Sequence, residues 1–109
     1  SDDTGSPHSI PPLQVAGELA LAWAALVNYL EQTSGLTIIE NTGGYLRAEA
    51  RTRILRFVDD VEFMGRPEDG IIAMRSASRL GYYDFGTNRR RLEALRSDLI
   101  DAGFVRTIE

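Results

Sequence analysis

Residues Tyr45 to Thr52, YLRAEART, alternate without a break. Leu46, Ala48 and Ala50 fall on one side of an extended chain, and Tyr45, Arg47, Glu49 and Arg51 fall on the other. Such a stretch is a strand with one face buried and one face wet. It therefore requires a sheet whose apolar side is covered by something else in the chain. Two segments can supply that cover. In Glu18 to Gln32, residues Leu19, Ala22, Trp23, Leu26, Val27 and Leu30 recur at helical spacing on one stripe. In Asn88 to Ala102, Leu92, Leu95 and Leu99 do the same, with Asn88 as the N-cap and Gly103 as the stop. Trp23 lies on the first apolar stripe and reads as a core anchor.

The rest of the sheet is read around that strand. Leu36 to Asn41 precedes it, and Thr42-Gly43-Gly44 marks a tight turn between the two. Phe57 to Met64 and Ile71 to Ser78 follow, separated by a hairpin loop from Gly65 to Gly70. The expected fold class is α+β: a four-stranded antiparallel meander with an N-terminal and a C-terminal helix packed on one face. Residues 1–13, SDDTGSPHSIPPL, read as an extended N-terminal arm, and residues 14–109 as a single α+β domain. Pro11 and Pro12 impose an extended path, and Ile10 and Leu13 can dock the arm on the body. The tail from Phe104 reads as a short edge strand or a packed end.

A meander implies a register. With Met64 opposite Ile71, the core face carries Leu46, Phe63 and Ile72, then Ala48, Val61 and Met74, then Ala50, Asp59 and Ser76. The other face sets Arg47 against Glu62 and lines up Glu49, Asp60 and Arg75, a solvated row of opposite charges. Asp59 is the exception, a carboxylate on the apolar side.

Composition removes several functions. The chain carries a net charge of −4, so general affinity for nucleic acid is not expected, although all twelve of its basic residues are arginine. It contains no cysteine and one histidine, His8, so thiolate chemistry, a histidine-rich metal site and a serine–histidine–aspartate triad all lack parts. No cofactor and no metal is called for. No apolar run approaches the roughly 20 residues that span a bilayer.

The unusual polar residues gather between Phe57 and Arg91. Asp59, Arg75, Ser76, Ser78, Arg79, Tyr82, Asp84, Asn88, Arg89 and Arg91 form the candidate polar centre. Arg89, Arg90 and Arg91 read as the first turn of the last helix, the electrostatically wrong end for cations. An acid must answer them there. Asp59 or Asp84 can do so internally, since buried charges persist only when paired, or a bound anion can. Asp59 and Asp60 are adjacent in sequence but point to opposite faces of a strand, so they are no acid/base couple. Tyr82, Tyr83 and Phe85, bracketed by Gly81 and Gly86, line a pocket or plug the core.

Two of these stretches, YLRAEARTRILRFVDDVEF and RSASRLGYYDFGTNRRRLEALR, resemble the domain-of-unknown-function family 1499 of bacteria and plastid-bearing organisms. The resemblance runs from about Ile10 to Leu99. Relatives often carry a CPxSPNCV-like segment near the N-terminus, which SDDTGSPHSIPPL does not match. The resemblance implies an exported or membrane-tethered module facing the periplasm, with the membrane reached only through a tether absent from this sequence. It implies no activity. Three functions remain open. The first is a non-catalytic binding or interaction domain of the cell envelope, whose partner is an anionic small molecule or an envelope protein. The second is a hydrolase- or isomerase-type enzyme using Asp59 with Arg75. The third is a scaffolding module that docks a protein partner.

Overall fold

The computed structural model describes residues 9–51, 58–78 and 85–107. The elements are β1 (Ser9–Val15), α1 (Leu19–Gln32), β2 (Leu36–Thr42), β3 (Tyr45–Arg51), β4 (Val58–Arg66), β5 (Ile71–Ser78), α2 (Phe85–Asp101) and β6 (Val105–Arg106). They make an α+β fold with one antiparallel sheet and two helices. Among the described residues the sheet has six strands in the order β2-β3-β4-β5-β1-β6, where four were expected. The meander β2 to β5 is present as read. The added strands are β1, formed by the Pro-containing N-terminal segment, and β6, formed by the tail.

Strand β1 is antiparallel to β5, with Leu13 opposite Ile72, and to β6, with Val15 opposite Val105. Ile10 and Leu13 do dock in the core, but through a strand inside the sheet. Between Ile10 and Leu13 the register shifts, so β1 carries one extra residue where Pro11 and Pro12 lie. A proline has no N–H for the ladder, and a bulge is where a strand tolerates it.

The β2–β3 turn is as tight as its glycines suggest. Thr42 pairs with Tyr45 across Gly43 and Gly44, both at positive φ (57° and 83°), as a two-residue hairpin of this hand requires. The β3–β4 register agrees with expectation pair for pair, from Tyr45 opposite Met64 to Ala50 opposite Asp59. The β4–β5 register differs. Ile71 faces Arg66 rather than Met64, because β4 runs through Gly65 and Arg66 and the turn takes only Pro67 to Gly70. A shift of two residues preserves which face each side chain takes, so the faces stand and only the rows slide.

Both helices contribute to one core with the same side of the sheet. Ala22, Leu26 and Leu30 of α1 and Leu92, Leu95 and Leu99 of α2 are buried together with Leu13, Leu46, Phe63 and Ile72. Each large apolar side chain taken fully out of water contributes roughly 1.5–3 kcal/mol. Trp23 packs half-buried against this core, and its Nε1 donates to Asn41 Oδ1 at 3.3 Å, tying α1 to the edge strand β2. Across the helix pair, Tyr29 Oη donates to Asp98 Oδ2 at 2.8 Å. Helix α2 closes with Gly103 N–H bonded to Ile100 O and Phe104 N–H bonded to Leu99 O, both at 3.0 Å. Gly103 sits at φ 91°, the left-handed turn that makes this closure and aims the chain into β6.

Candidate functional site

Strand alternation decides where each polar residue goes. Asp59, Val61 and Phe63 share one face of β4, and Asp60 and Glu62 share the other. The wet face is a set of ion pairs, some across strands and some along β3. Arg47 lies 3.4 Å from Asp60 and 3.9 Å from Glu49, and Arg51 lies 3.7 Å from Glu49. Arg75 lies 3.8 Å from Glu62, which also accepts a 2.7 Å hydrogen bond from Tyr45 Oη. That bond to Glu62, more than burial, raises the pKa of the Tyr45 phenol. Partly exposed pairs of this kind contribute little singly.

The helix side is different. Asp59 is 1% exposed and stands opposite Ala50 of β3 and Ser78 of β5. Among the described residues, no hydrogen-bond donor reaches its Oδ2, which is itself fully buried. Ser76, also buried, shares this face one row along, opposite Val61 and diagonal to Asp59. A diagonal of this kind spans about 7–8 Å, within reach of one small ligand group. The flanking core-face positions on β3 are Ala48 and Ala50, both fully buried. The large core residues Leu46, Phe63, Met74 and Ile72 lie toward the other end of the strands.

Several expected partners do not meet. Arg75 has its side chain 70% exposed on the wet face, opposite Glu62, while Asp59 faces the helices. The sheet separates them, so the pairing of Asp59 with Arg75 as a catalytic couple is corrected. Helix α2 begins at Phe85, so Asn88 is inside the first turn and does not cap it. Arg89, Arg90 and Arg91 accordingly lie beyond that first turn, and the argument from cations at a helix mouth loses its ground. Arg89 and Arg90 are exposed and Arg91 is half-buried, and Arg89 and Arg91 each engage a neighbouring group. Arg79, Tyr82 and Asp84 lie outside the described residues, and Ser78 and Asn88 are placed by their backbones alone.

One buried cation was missed from sequence. The side chain of Arg96 in α2 is 5% exposed. Its Nε donates to Glu93 Oε1 at 3.0 Å, its Nη1 to Pro12 O at 2.8 Å and its Nη2 to Pro11 O at 2.7 Å. The spacing Glu93 to Arg96 is a visible i,i+3 pair, but the proline carbonyls are a long-range partner that only the fold reveals. Among the described residues, no cluster of three histidine, cysteine or acidic side chains could hold a metal ion. No helix is long and apolar enough to cross a membrane in that same set.

Fold and site together define a small antiparallel α+β domain with one ion-paired face and, on the helix side, a buried carboxylate whose Oδ2 meets no donor among the described residues. The chain belongs to the family described as protein of unknown function (DUF1499), which matches residues 1–99. No curated protein and no solved structure matches it.

Proposed function

We propose that this protein is a non-catalytic binding module of the cell envelope, and that its binding site lies at the Asp59 end of the sheet, on the helix side. The observation that carries the reading is Asp59 Oδ2, buried and without a donor among the described residues. A buried polar atom left unmatched costs about 1–3 kcal/mol, and more when it is charged. A fold that retains such a group gives up stability at that position. Sites kept for a partner show this trade. The separation of Asp59 from Arg75 by the sheet favours binding over acid/base chemistry. The setting in the envelope, facing the periplasm, is what the family resemblance suggests.

The test is stability. In a binding site, Asp59→Asn and Asp59→Ala leave the domain at least as stable as the wild type in urea melts, because each replaces a buried carboxyl whose Oδ2 meets no donor among the described residues. If instead both variants lose more than about 2 kcal/mol, the carboxylate has internal partners and is structural.

A further inference from the structure

We infer that the group Asp59 receives is a hydrogen-bond-donating organic cation, an ammonium or guanidinium carried on an apolar body, and not an anion. This rests on the binding-site reading above and names its ligand class.

Three features of the position select the class. First, Asp59 contributes an acceptor oxygen that is buried and unmatched. A carboxylate in a low-dielectric setting attracts a donor and repels an anion, and the bond it makes to a charged donor is among the stronger ones available. Second, a buried hydroxyl, Ser76, lies diagonal to Asp59 on the same face, adding a second acceptor and no opposing charge. Third, Ala48, Ala50 and Val61, described neighbours on this face, are all buried. Small apolar walls suit the carbon skeleton of an amine or a guanidine.

The same features weigh against other ligands. Among the described residues, one carboxylate and one hydroxyl fall far short of the 6–8 oxygens that calcium takes. An anion would need the arginines of α2 at the first turn, and α2 starts at Phe85 instead. The guanidinium of Arg96 is already committed to Glu93, Pro11 and Pro12. The donor can come from a free small molecule or from an arginine or lysine side chain of a protein partner, and the two share one chemistry.

The experiment is a two-dimensional amide NMR titration of the full chain with agmatine, with an arginine-containing tripeptide, and with inorganic phosphate, all at matched ionic strength. Agmatine or the tripeptide is expected to shift the amides of Ala50, Asp59 and Ser76, while phosphate leaves them in place. Asp59→Asn is expected to weaken binding by about tenfold or more, the usual loss when a charged partner is removed. Ser76→Ala, a milder change that leaves the buried acid intact, weakens it less. Response to agmatine assigns a small-molecule source, and response to the tripeptide alone assigns a peptide source. The inference is overturned if phosphate shifts these amides and the cations do not, if the cation response survives Asp59→Asn unchanged, or if no probe moves them. Stable Asp59 variants with no cation response would overturn the ligand class and spare the site. Destabilised Asp59 variants would overturn both.

Discussion

Arg96 Nη1 donates to the carbonyl of Pro12 at 2.8 Å, joining the middle of α2 to the bulge of β1 across most of the chain. Its second terminal nitrogen holds Pro11 O at 2.7 Å. The guanidinium is a planar fork, and two successive carbonyls turned out of a ladder are a fitting target for it. Prolines at the bulge cannot donate to a neighbouring strand, and their carbonyls need another partner inside the fold. Glu93 lies beside the guanidinium and balances its charge. One side chain thus lets a proline pair sit inside a six-stranded sheet.

Removing that side chain should be costly. Arg96→Ala takes the guanidinium donors from the Pro11 and Pro12 carbonyls and the partner from Glu93, and is expected to lose about 1–3 kcal/mol. For a domain of this size each kcal/mol is roughly 4–8 °C in Tm. Arg96→Lys keeps the charge but offers a single point of donors where a fork is needed, so it should recover less than half of the loss. Urea melts of the three proteins decide the matter. A loss under about 1 kcal/mol for Arg96→Ala would mean the carbonyls find water instead.

Tyr29 makes a pH-dependent link between the helices. Burial first, then the hydrogen bond to Asp98 and the charge of Asp98, push its pKa from 10.0 up to about 12. The folded state therefore holds the phenolic proton more tightly than the unfolded chain does. Its stabilising effect is complete below pH 10, the unfolded value, and is lost as pH rises through the folded value near 12. Tyr29→Phe lacks this titration. The stability gap between wild type and Tyr29→Phe should thus shrink between about pH 10 and about pH 12, as read by denaturant melts across that range. Asp98→Asn should lower the Tyr29 pKa only in part, because burial is the larger cause. A gap that stays constant to pH 12 would remove Tyr29 as the titrating group.

The parts of this fold legible in the sequence are those set by strand parity. Leu46, Ala48 and Ala50 against Arg47 and Glu49 fixed the β3–β4 pairing to the residue, and the burial of Asp59 followed from the same alternation. The hairpin was harder, because Gly65 carries a loop signal yet stays in the strand. Strand β1 was hidden by Pro11 and Pro12, whose carbonyls are answered by Arg96 far along the chain. Local propensity has no term for such a partner. Helix α2 was read as starting at Asn88 because Gly86 resembles a loop residue, although the helix includes it. The three arginines therefore sit past the first turn and not in it. The carboxylate of Asp59 could be placed from sequence, but the lack of a donor at its Oδ2 could not, since satisfaction is a property of the whole neighbourhood.

Gly65 stays in β4 for want of space, and this can be measured. A Cβ built there would lie 3.3 Å from Leu19 Cδ2 and 3.5 Å from Trp23 Cζ3, where α1 crosses the strand. The backbone at Gly65 is not left-handed, so room alone decides the outcome. In Gly65→Ala the end of the Leu19 side chain can yield a few tenths of an ångström, and the loss of glycine's chain entropy helps, so the expected change is within about 1 kcal/mol. In Gly65→Val two further methyl groups drive into the helix, and the expected cost is about 1–3 kcal/mol. Trp23 is the only tryptophan in the chain, so its emission reports this contact without interference. A red shift of the folded-state spectrum should appear in Gly65→Val and be small or absent in Gly65→Ala. If valine is accepted with neither a stability loss nor a spectral shift, α1 does not press on the strand at Gly65.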